Sequence, residues 1–395
     1  MRRSTLLLLT LIAFVFVIPA MPVSNVVAAN TTVNIVLDAD IGVDDAAAVA
    51  YLLSLRQANI IGITTVAGNT TVENSANNAL LLLEVAGRTN IPVVIGANAP
   101  LVLPPSMQGM FVHGPDGLWF AGMSSPHDLS GLRTDAPEFL RDSAVAHPGA
   151  TLLALGPLTN IARAIQLYPS EMALYSRIVW SGGAHVVQGD GNTPVGTFNS
   201  WYDPDAAQIV LSSGLPIVMV TADAGRTVTI TDQQVKRLAK NGTPLGKFLA
   251  PILTAYATAV GQPVEPSNNK FMAATENRDH RQKSQYIIPL YDPTAAVLAM
   301  RPDLGTVQSA LVFVQTQDGV TRGQTVMGLT VPERVSMIAD DAELSAIAVQ
   351  AFSDPNFDLN VVMGNILARQ PDNANVVLSV DSASIVRAFL NTLVR

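Results

Sequence analysis

Short apolar runs alternate with segments of helical periodicity along the first half of the chain. The runs are rich in Val, Ile and Leu without strict alternation, which is typical of strands covered on both faces. We predict strands at residues 33–38, 60–66, 92–95, 151–155, 177–181 and 216–221. Helical patterns lie between them, at residues 44–55, 72–86, 137–147, 159–167 and 204–213. Strands that alternate with helices predict right-handed βαβ units and therefore a mostly parallel sheet.

The pattern is less regular in the second half of the chain. Helices are predicted at residues 231–240, 244–260, 292–300, 338–353 and 382–393, and strands at 307–315 and 375–380. Pro251 lies inside the second of these helices, and proline there favours a break. Residues 261–286 are polar and carry a charge cluster, which predicts a surface loop or flap. No repeat or linker divides the chain. The predicted fold class is therefore a single α/β domain with a Rossmann-like core, its central sheet flanked by helices.

The first 29 residues have the pattern of a secretory signal peptide. Arg2 and Arg3 form a basic start, residues 6–18 are apolar, and the small residues at 27–29 suit cleavage. The short apolar run without a basic flank disfavours a transmembrane anchor. We therefore expect export to a periplasm or beyond the cell, no membrane attachment after cleavage, and a mature domain over residues 30–395. The chain has no cysteine, which excludes disulfides and lipid attachment through cysteine.

The charge balance narrows the class of partner. The chain has a formal net charge of −8 at pH 7, and it has neither a basic run nor a zinc-type spacing of ligands. An acidic protein has no electrostatic attraction to a nucleic-acid backbone. We therefore expect a small-molecule substrate and no nucleic acid.

Four aspartates stand within eight residues at the end of the first predicted strand, at Asp38, Asp40, Asp44 and Asp45. Carboxylates this close repel one another and raise one another's pKa. A divalent cation relieves that conflict, and hard cations such as Ca²⁺ or Mg²⁺ take oxygen ligands. Open α/β sheets bind ligands at the carboxyl ends of their strands. The cluster therefore predicts a metal site, with an acidic helix N-terminus as the alternative.

The spacing of these acids admits two classes of enzyme. One is the phosphatase superfamily that uses an Asp-x-Asp strand end as nucleophile and acid. Those proteins usually carry Thr or Val where this chain has Gly42. The other is the nucleoside hydrolase family, whose opening pattern Asp-x-Asp-x-Gly-x-Asp-Asp matches residues 38–45 without a gap. The segment therefore resembles the start of an inosine-uridine preferring nucleoside hydrolase.

Further segments resemble the same family, in the order that the family has them. They are Val66-Ala67-Gly68-Asn69, the loop at 113–118, Gly156-Pro157-Leu158-Thr159-Asn160, the stretch at 181–204, Tyr291-Asp292-Pro293 and the turn at 321–325. The resemblance extends over residues 31–395, and its strength lies in the ordered set. Taken singly, several pieces have a structural interpretation; Asp292 before Pro293, for example, also suits a helix N-cap.

The resemblance implies a calcium-dependent N-glycosidase that hydrolyses ribonucleosides to free base and ribose. The Ca²⁺ would be held by three carboxylates and one main-chain carbonyl, those of Asp40, Asp45, Asp292 and Leu155. A bound cation orients water and lowers its pKa. Asp40 would accept the proton of that water as general base. Carboxylates around the sugar would stabilise an oxocarbenium-like transition state.

The resemblance also implies a set of substrate contacts, made by polar side chains at the ends of these segments. They are Asp44, Asn69, His113, Asn192, Thr197 and Asn199, and Asp38 would support the cluster from behind. A homodimer or homotetramer is a further implication of the resemblance.

Tyr291 departs from the family pattern, because many members carry His there as a candidate acid for the leaving base. We assign Tyr291 a catalytic role, although an ordinary tyrosine pKa near 10 makes it a weaker acid. His113 and His280 are alternative acids. Aromatic side chains that could instead stack on the base are Trp119, Trp201 and Tyr256.

Thr197 is the second departure, because the family has Glu there, two residues before the ribose-binding Asn, in contact with the 5′-hydroxyl. A neutral, shorter side chain predicts weaker 5′-hydroxyl recognition or tolerance of a 5′-modified ribose. Residues 330–372 are a predicted insertion, and an oligomer contact is one possible role for it. These departures keep a non-catalytic nucleoside- or ribose-binding protein of the same fold as the alternative to an enzyme. The preferred base, purine or pyrimidine, is left open.

Overall fold

The computed structural model describes residues 32–394 except 108, 121–125, 192, 261 and 264–285. The predicted signal peptide, most of the predicted flap with His280, and the predicted substrate contact Asn192 lie outside the described residues. Among the helices that are described, none combines the length and the hydropathy that crossing a bilayer requires.

Twelve strands are described, and we label them in chain order. They are β1 (Val33–Ala39), β2 (Ala58–Thr65), β3 (Val93–Ile95), β4 (Thr151–Ala154), β5 (Arg177–Ser181), β6 (Ile217–Val220), β7 (Thr229–Thr231), β8 (Gln262–Pro263), β9 (Tyr286–Pro289), β10 (Gly305–Val314), β11 (Thr325–Gly328) and β12 (Ala374–Val380). Nine of them form the central sheet in the order β11-β10-β12-β6-β5-β4-β1-β2-β3. The seven strands from β12 to β3 run parallel, whereas β10 and β11 are antiparallel additions at one edge. The other three form a small antiparallel sheet in the order β7-β9-β8.

The helices cover both faces of the central sheet. They are Val43–Leu53, Val72–Ala86, Met110–His113, Ala136–Ala146, Thr159–Leu167, Pro169–Met172, Phe198–Tyr202, Pro204–Leu211, Ala222–Gly225, Asp232–Asn241, Pro244–Val260, Tyr291–Met300, Val331–Ile338, Asp341–Ser353, Leu359–Arg369 and Ser382–Leu393, with a 3₁₀ turn at Pro302–Leu304. Local chemistry sets several of their ends. Thr71 caps the second helix by accepting a hydrogen bond from the amide of Asn74, and Gly87 ends it at a φ of +65°.

Strand β1 lies at the centre of the sheet, with fully buried side chains on both faces. Ile35 and Leu37 point into one hydrophobic core, and Val36 points into the other. This two-sided burial explains the continuous apolar run in the sequence. The chain leaves β1 toward β2 and β3 and then returns to β4 on the opposite side. The connections therefore diverge at the carboxyl ends of β1 and β4, which opens a crevice where such sheets bind ligands.

The α/β architecture and the strands of the first half agree with the sequence prediction to within about two residues at their ends. Pro251 is different, because the helix Pro244–Val260 continues through it. Pro251 is exposed. On the solvent side of a helix, the hydrogen bond that proline removes is the one most easily replaced by water. The predicted break is therefore wrong.

The predicted insertion at 330–372 contains three helices instead of one. The sequence predicted a helix over 338–353, but Ile338 ends the helix Val331–Ile338 and a new helix begins at Asp341. Asp340 separates the two helices, because its side chain accepts the amide of Glu343 at 2.8 Å as an N-cap. Val335, Ala339 and Ile366 form a small core of their own beneath these helices. Several apolar side chains of this segment are exposed, including Phe352 and Val349.

Candidate active site

A cavity of about 430 Å³ opens at the carboxyl ends of the parallel strands. Its volume lies within the range of about 300–1,000 Å³ that is typical of small-molecule sites. Its polar lining includes Asp44, Asn69, His113, Asn199 and Asp292. The topology of the sheet therefore brings residues separated by almost 250 positions in the sequence to one concave surface.

Three aspartates gather at the floor of this cavity, where Asp44 and Asp292 line it and Asp45 lies beside them. Asp44 and Asp45 begin the helix Val43–Leu53, and Asp292 begins the helix Tyr291–Met300, which packs against it. One carboxylate oxygen from each lies within 4.8 Å of the other two. All three side chains are buried. The predicted convergence of Asp45 with the distant Asp292 is therefore present, and the geometry adds Asp44, which the sequence assigned to the substrate.

Asp40 borders this group on its buried side and does not line the cavity. Its carboxylate oxygen Oδ2 accepts the amide of Asn69 at 2.7 Å, and the side chain of Asn69 donates to Asp45 Oδ2 at 2.9 Å. Asn69 therefore holds two carboxylates at once, in addition to lining the cavity. The backbone at residue 156 passes close to Asp40, and this requires glycine, because a Cβ there would lie 2.7 Å from Asp40 Oδ1.

The buried carboxylates repel one another, and the described part of the protein does not neutralise their charges. Within the described part of the chain, no donor reaches the Oδ1 atoms of Asp40, Asp44 and Asp45, although these atoms are buried. Burial, with the added charge of Asp45, raises the pKa of Asp44 to about 8. Burial and the neighbouring aspartates also raise the pKa of Asp40 and Asp292 well above the usual range. Crowded carboxylate oxygens that have no hydrogen-bond partner are suitable ligands for a hard divalent cation.

Leu155 and Asn199 form the neighbouring wall. Leu155 follows β4, and its carbonyl oxygen accepts Asn199 Nδ2 at 2.5 Å. The same amide group also donates to the carbonyl of Ser181 at 2.9 Å. A carbonyl oxygen has two lone pairs, so the Leu155 carbonyl can hold a cation beside this hydrogen bond. The bonds of the Asn199 amide orient its side-chain oxygen, which is able to accept hydrogen bonds from hydroxyl groups.

Asp38, which was predicted to support the cluster from behind, is fully buried at the end of β1. Its Oδ1 accepts the hydroxyl of Thr64 at 2.5 Å and the side-chain amide of Asn160 at 2.8 Å. Burial raises the pKa of Asp38 to about 6, and these two hydrogen bonds oppose that rise. Asn160 therefore ties the end of β1 to the start of the helix Thr159–Leu167, which is a structural reason for its position.

His113 lines the cavity in a neutral form. Its Nδ1 accepts the amide of Val43 at 3.1 Å, so the ring proton lies on Nε2. Burial lowers the pKa of His113 to about 3. Its contact of 3.8 Å with Asp44 is therefore not an ion pair. The ring stacks on Tyr256 at a centroid distance of 5.6 Å.

Of the three aromatic side chains predicted to stack on the base, Tyr256 lines the cavity. Trp201 is buried against Phe198 and Tyr202 instead. The indole of Trp119 donates to the carbonyl of Val112 at 3.0 Å, which ties it to the loop. Neither tryptophan lines the cavity: Trp201 is part of a buried aromatic cluster, and Trp119 is half-buried.

The structure also brings residues to the cavity that the sequence analysis did not single out. Asp190 accepts the amide of Phe198 at 2.8 Å, and Arg226 Nε donates to the hydroxyl of Tyr291 at 3.3 Å. Burial, followed by the charge of Asp190, raises the pKa of Tyr291 to about 12. The glycines that flank Asp190 in the sequence indicate a tight loop and could have drawn attention to it. No local sequence pattern indicates a role for Arg226.

Thr197 lines the cavity wall, yet its hydroxyl is committed to the protein. It accepts the amide of Gly183 at 2.8 Å and shares a hydrogen bond of 2.9 Å with Ser200 Oγ. Gly183 adopts a φ of +75°, a conformation that favours glycine. The hydroxyl of Thr197 therefore fixes the turn after β5.

Replacing Thr197 by Val is expected to destabilise the protein by about 1–3 kcal/mol, because the buried amide of Gly183 loses its acceptor. Urea unfolding followed by circular dichroism measures the change. Thr197→Ser keeps the hydroxyl and is the matched control. If Thr197→Val unfolds at the same urea concentration as the unmodified protein, the hydroxyl has no such role.

The sequence profile of the family described as inosine-uridine preferring nucleoside hydrolase matches residues 35–387. The chain is 35% identical over 296 residues to a probable uridine nucleosidase 2 of Arabidopsis thaliana, with 74% of this chain and 85% of that protein covered. It is also 35% identical over 303 residues to a non-specific ribonucleoside hydrolase of Salmonella paratyphi B, with 76% of this chain and 89% of that protein covered.

Solved structures of nucleoside hydrolases share the fold. A plant nucleoside hydrolase superposes with a TM-score of 0.71 at 27% identity, covering 91% of this chain and 98% of that chain. A purine-preferring ribonucleoside hydrolase from Gardnerella vaginalis superposes with a TM-score of 0.68 at 25% identity, covering 91% and 97%. Since the profile, the relatives and the fold agree with the acidic strand end, this chain is an N-glycosidase that belongs to the inosine-uridine preferring nucleoside hydrolase family.

Proposed function

We propose that this protein is a calcium-dependent hydrolase that cleaves the N-glycosidic bond of ribonucleosides to free base and ribose. The observation that carries the proposal is the buried carboxylate group of Asp44, Asp45 and Asp292, whose oxygens lie within 4.8 Å of one another at the floor of the cavity. Oxygen-only donors, including carboxylates that can bind through both oxygens, suit Ca²⁺ with its six to eight ligands.

The residues that would hold the metal are Asp45, Asp292 and the Leu155 carbonyl, with Asp40 and Asp44 adjoining. When bound, Ca²⁺ orients a water molecule and lowers its pKa. Asp40 is joined to Asp45 through Asn69 and is the proposed acceptor for the proton of that water. Burial and the neighbouring aspartates raise the pKa of Asp40 in the metal-free site, which favours the uptake of a proton there.

The sugar is proposed to bind directly above the carboxylates. Asp44, Asn69 and the oriented side-chain oxygen of Asn199 face the cavity and can accept hydrogen bonds from ribose hydroxyls. As the glycosidic bond lengthens, positive charge develops on the sugar ring. The negative charge of the floor stabilises that state more than the neutral ground state, which is the condition for catalysis.

Relatives suggest which nucleosides to test first. The Arabidopsis relative is named a probable uridine nucleosidase, the Salmonella relative is named non-specific, and the Gardnerella structure is named purine-preferring. Activity on uridine with tolerance of other bases is the proposal that these names support. Thr197 has a neutral side chain whose hydroxyl is already bonded, so weak discrimination against 5′-deoxynucleosides is part of the same proposal.

Export to a periplasm or beyond the cell is proposed from the signal-like start of the sequence, and a homodimer or homotetramer stays a prediction. Secretion of the full chain fused to a reporter enzyme, compared with a chain lacking residues 1–29, tests the first. Light scattering of the purified protein tests the second.

Release of base from uridine, inosine and adenosine is expected in the presence of Ca²⁺ and is expected to stop when EGTA is added. Absorbance changes report base release, and a reducing-sugar assay reports ribose. Ribonucleoside binding without ribose release would instead favour the non-catalytic binding protein. Release of phosphate from phosphate esters, without base release, would favour the phosphatase class.

A further inference from the structure

Arg226 is a positive charge in a cavity that is otherwise acidic. It follows the short helix Ala222–Gly225 after β6, at the same edge of the sheet as the carboxylates, and its side chain is half-buried. Among the described residues that line the cavity, no other lysine or arginine is present, whereas Asp44, Asp190 and Asp292 are. An arginine keeps its charge throughout the working pH range of proteins.

The guanidinium group has only neutral partners in the described part of the chain. Its Nε donates to the hydroxyl of Tyr291 at 3.3 Å, and its Nη2 donates to the carbonyl of Gly189 at 3.4 Å. Both contacts are long for hydrogen bonds of a charged donor, which are typically about 2.7–2.9 Å. No described carboxylate forms an ion pair with it, although its charge reaches that of Asp190. The group therefore retains donor capacity toward a ligand.

The position of Arg226 beside Tyr291 is built into the backbone. A Cβ at Gly225 would lie 2.6 Å from Cδ1 of Tyr291, so the close contact between this turn and the tyrosine ring requires glycine. Asp223 in the same turn accepts the amides of His185, Val186 and Val187 at 2.7, 2.9 and 3.1 Å. These bonds join the turn to the loop that carries the Gly189 carbonyl.

His113 and Tyr291 also line the cavity, and each already accepts a hydrogen bond from the protein. His113 is neutral, and its Nδ1 is an acceptor for the amide of Val43. The hydroxyl of Tyr291 accepts a hydrogen bond from Arg226 at 3.3 Å. Cleavage of the bond nevertheless places an electron pair on the base, and that negative charge needs a stabilising partner.

We propose that Arg226 is a catalytic residue that stabilises the departing base by donating hydrogen bonds to it, directly and through the hydroxyl of Tyr291. The inference rests on the proposed nucleoside hydrolase function. The carboxylate floor suits the sugar, where positive charge develops, and repels an anion. The guanidinium on the wall suits the base, where negative charge develops. The two charges of the transition state would therefore each meet an opposite charge within the cavity.

The chemical balance needs no further reactant. The C1′–N bond breaks with its electron pair on the base nitrogen, and the water oxygen forms a bond to C1′. The water proton goes to Asp40. The base leaves as an anion hydrogen-bonded to Arg226 and Tyr291 and takes up a proton from solvent, while Asp40 returns its proton to solvent.

The test compares two ribosides whose leaving groups differ in acidity, uridine and 4-nitrophenyl β-D-ribofuranoside. Nitrophenolate is a stable anion and needs little help to leave. Arg226→Gln is expected to lower kcat for uridine by about 10²–10³-fold, the magnitude for loss of one preorganised donor, and to change the nitrophenyl reaction far less. Arg226→Lys keeps the charge, so its kcat for uridine is expected to lie between those of the unmodified protein and Arg226→Gln. Arg387→Gln, at an exposed position, is the control.

Equal loss on both substrates would overturn the inference, because it would mean that Arg226 supports the structure of the site instead of the leaving group. Unchanged hydrolysis of uridine would overturn it as well. So would a strong preference of the unmodified protein for uridine 5′-monophosphate that Arg226→Gln abolishes, since the arginine would then bind a phosphate. Failure of the unmodified protein to cleave either riboside would refute the proposed function, which is a separate result.

Discussion

Replacing Asp292 by Asn is expected to abolish tight calcium binding and to lower kcat/KM for uridine by on the order of 10³-fold. Asp292 is one of three buried carboxylates whose oxygens lie within 4.8 Å of one another. It is distant in sequence from the other two aspartates, and loss of its carboxylate leaves an incomplete set of ligands. Isothermal titration with Ca²⁺ measures the first effect, and steady-state kinetics measures the second.

Asp318→Asn is the matched control, because the Asp318 side chain is 82% exposed and does not line the cavity. Asp292→Asn is not expected to unfold the protein, since it removes one of several mutually repelling charges. Full calcium affinity and full activity in Asp292→Asn would show that the ion, if any, is held elsewhere.

The metal-free protein is expected to lose stability as the pH rises from about 4 to about 8. Folding raises the pKa of Asp38 to about 6 and that of Asp44 to about 8, so the folded state binds protons more tightly than the unfolded chain. The stability that this contributes is fully present below the unfolded pKa near 4 and is lost as the pH rises through the folded values. Each group contributes about 1.4 kcal/mol per unit of its shift.

Calcium is expected to reverse this loss, because it binds the ionised carboxylates of the folded state. At a free concentration about 1,000 times its dissociation constant it stabilises by about 4 kcal/mol. Thermal unfolding at pH 5 and pH 8, in EGTA and in Ca²⁺, measures both effects. Asp44→Asn is expected to flatten the pH dependence in EGTA. A thermal unfolding midpoint in EGTA that is higher at pH 8 than at pH 5 would contradict the raised pKa of Asp38 and Asp44.

The parallel core was predictable because its physical cause is local in the sequence. Residues 35–37 are buried on alternating faces against two cores, so these three positions before Asp38 are all apolar. The short strands β7, β9 and β11 were missed because three or four residues carry too little periodicity to predict a strand. In the segment from 331 to 369, Asp340 ends one helical pattern and starts the next, which periodicity alone merges into one.

The site was predictable where its residues follow one another along the chain. Asp38 to Asp45 stand at one strand end, so their proximity follows from the chain itself. Asn69 was predicted to bind ribose, but its bonds to Asp40 and Asp45 depend on how β1 and β2 align. Arg226 was not predicted at all, since a single arginine after a short helix has no distinctive local pattern.

The sequence by itself determined the α/β class and the acidic cluster, because these depend on residues that are near one another in the chain, and the family resemblance, because it depends on the order of short motifs along the chain. Only the tertiary structure decided that Asp44 joins Asp45 and Asp292, that Asp40 lies beneath them, and that Arg226 contacts Tyr291. Such distances arise from the packing of helices that are far apart in sequence. A change of a few ångströms in this packing decides whether a side chain can coordinate the metal.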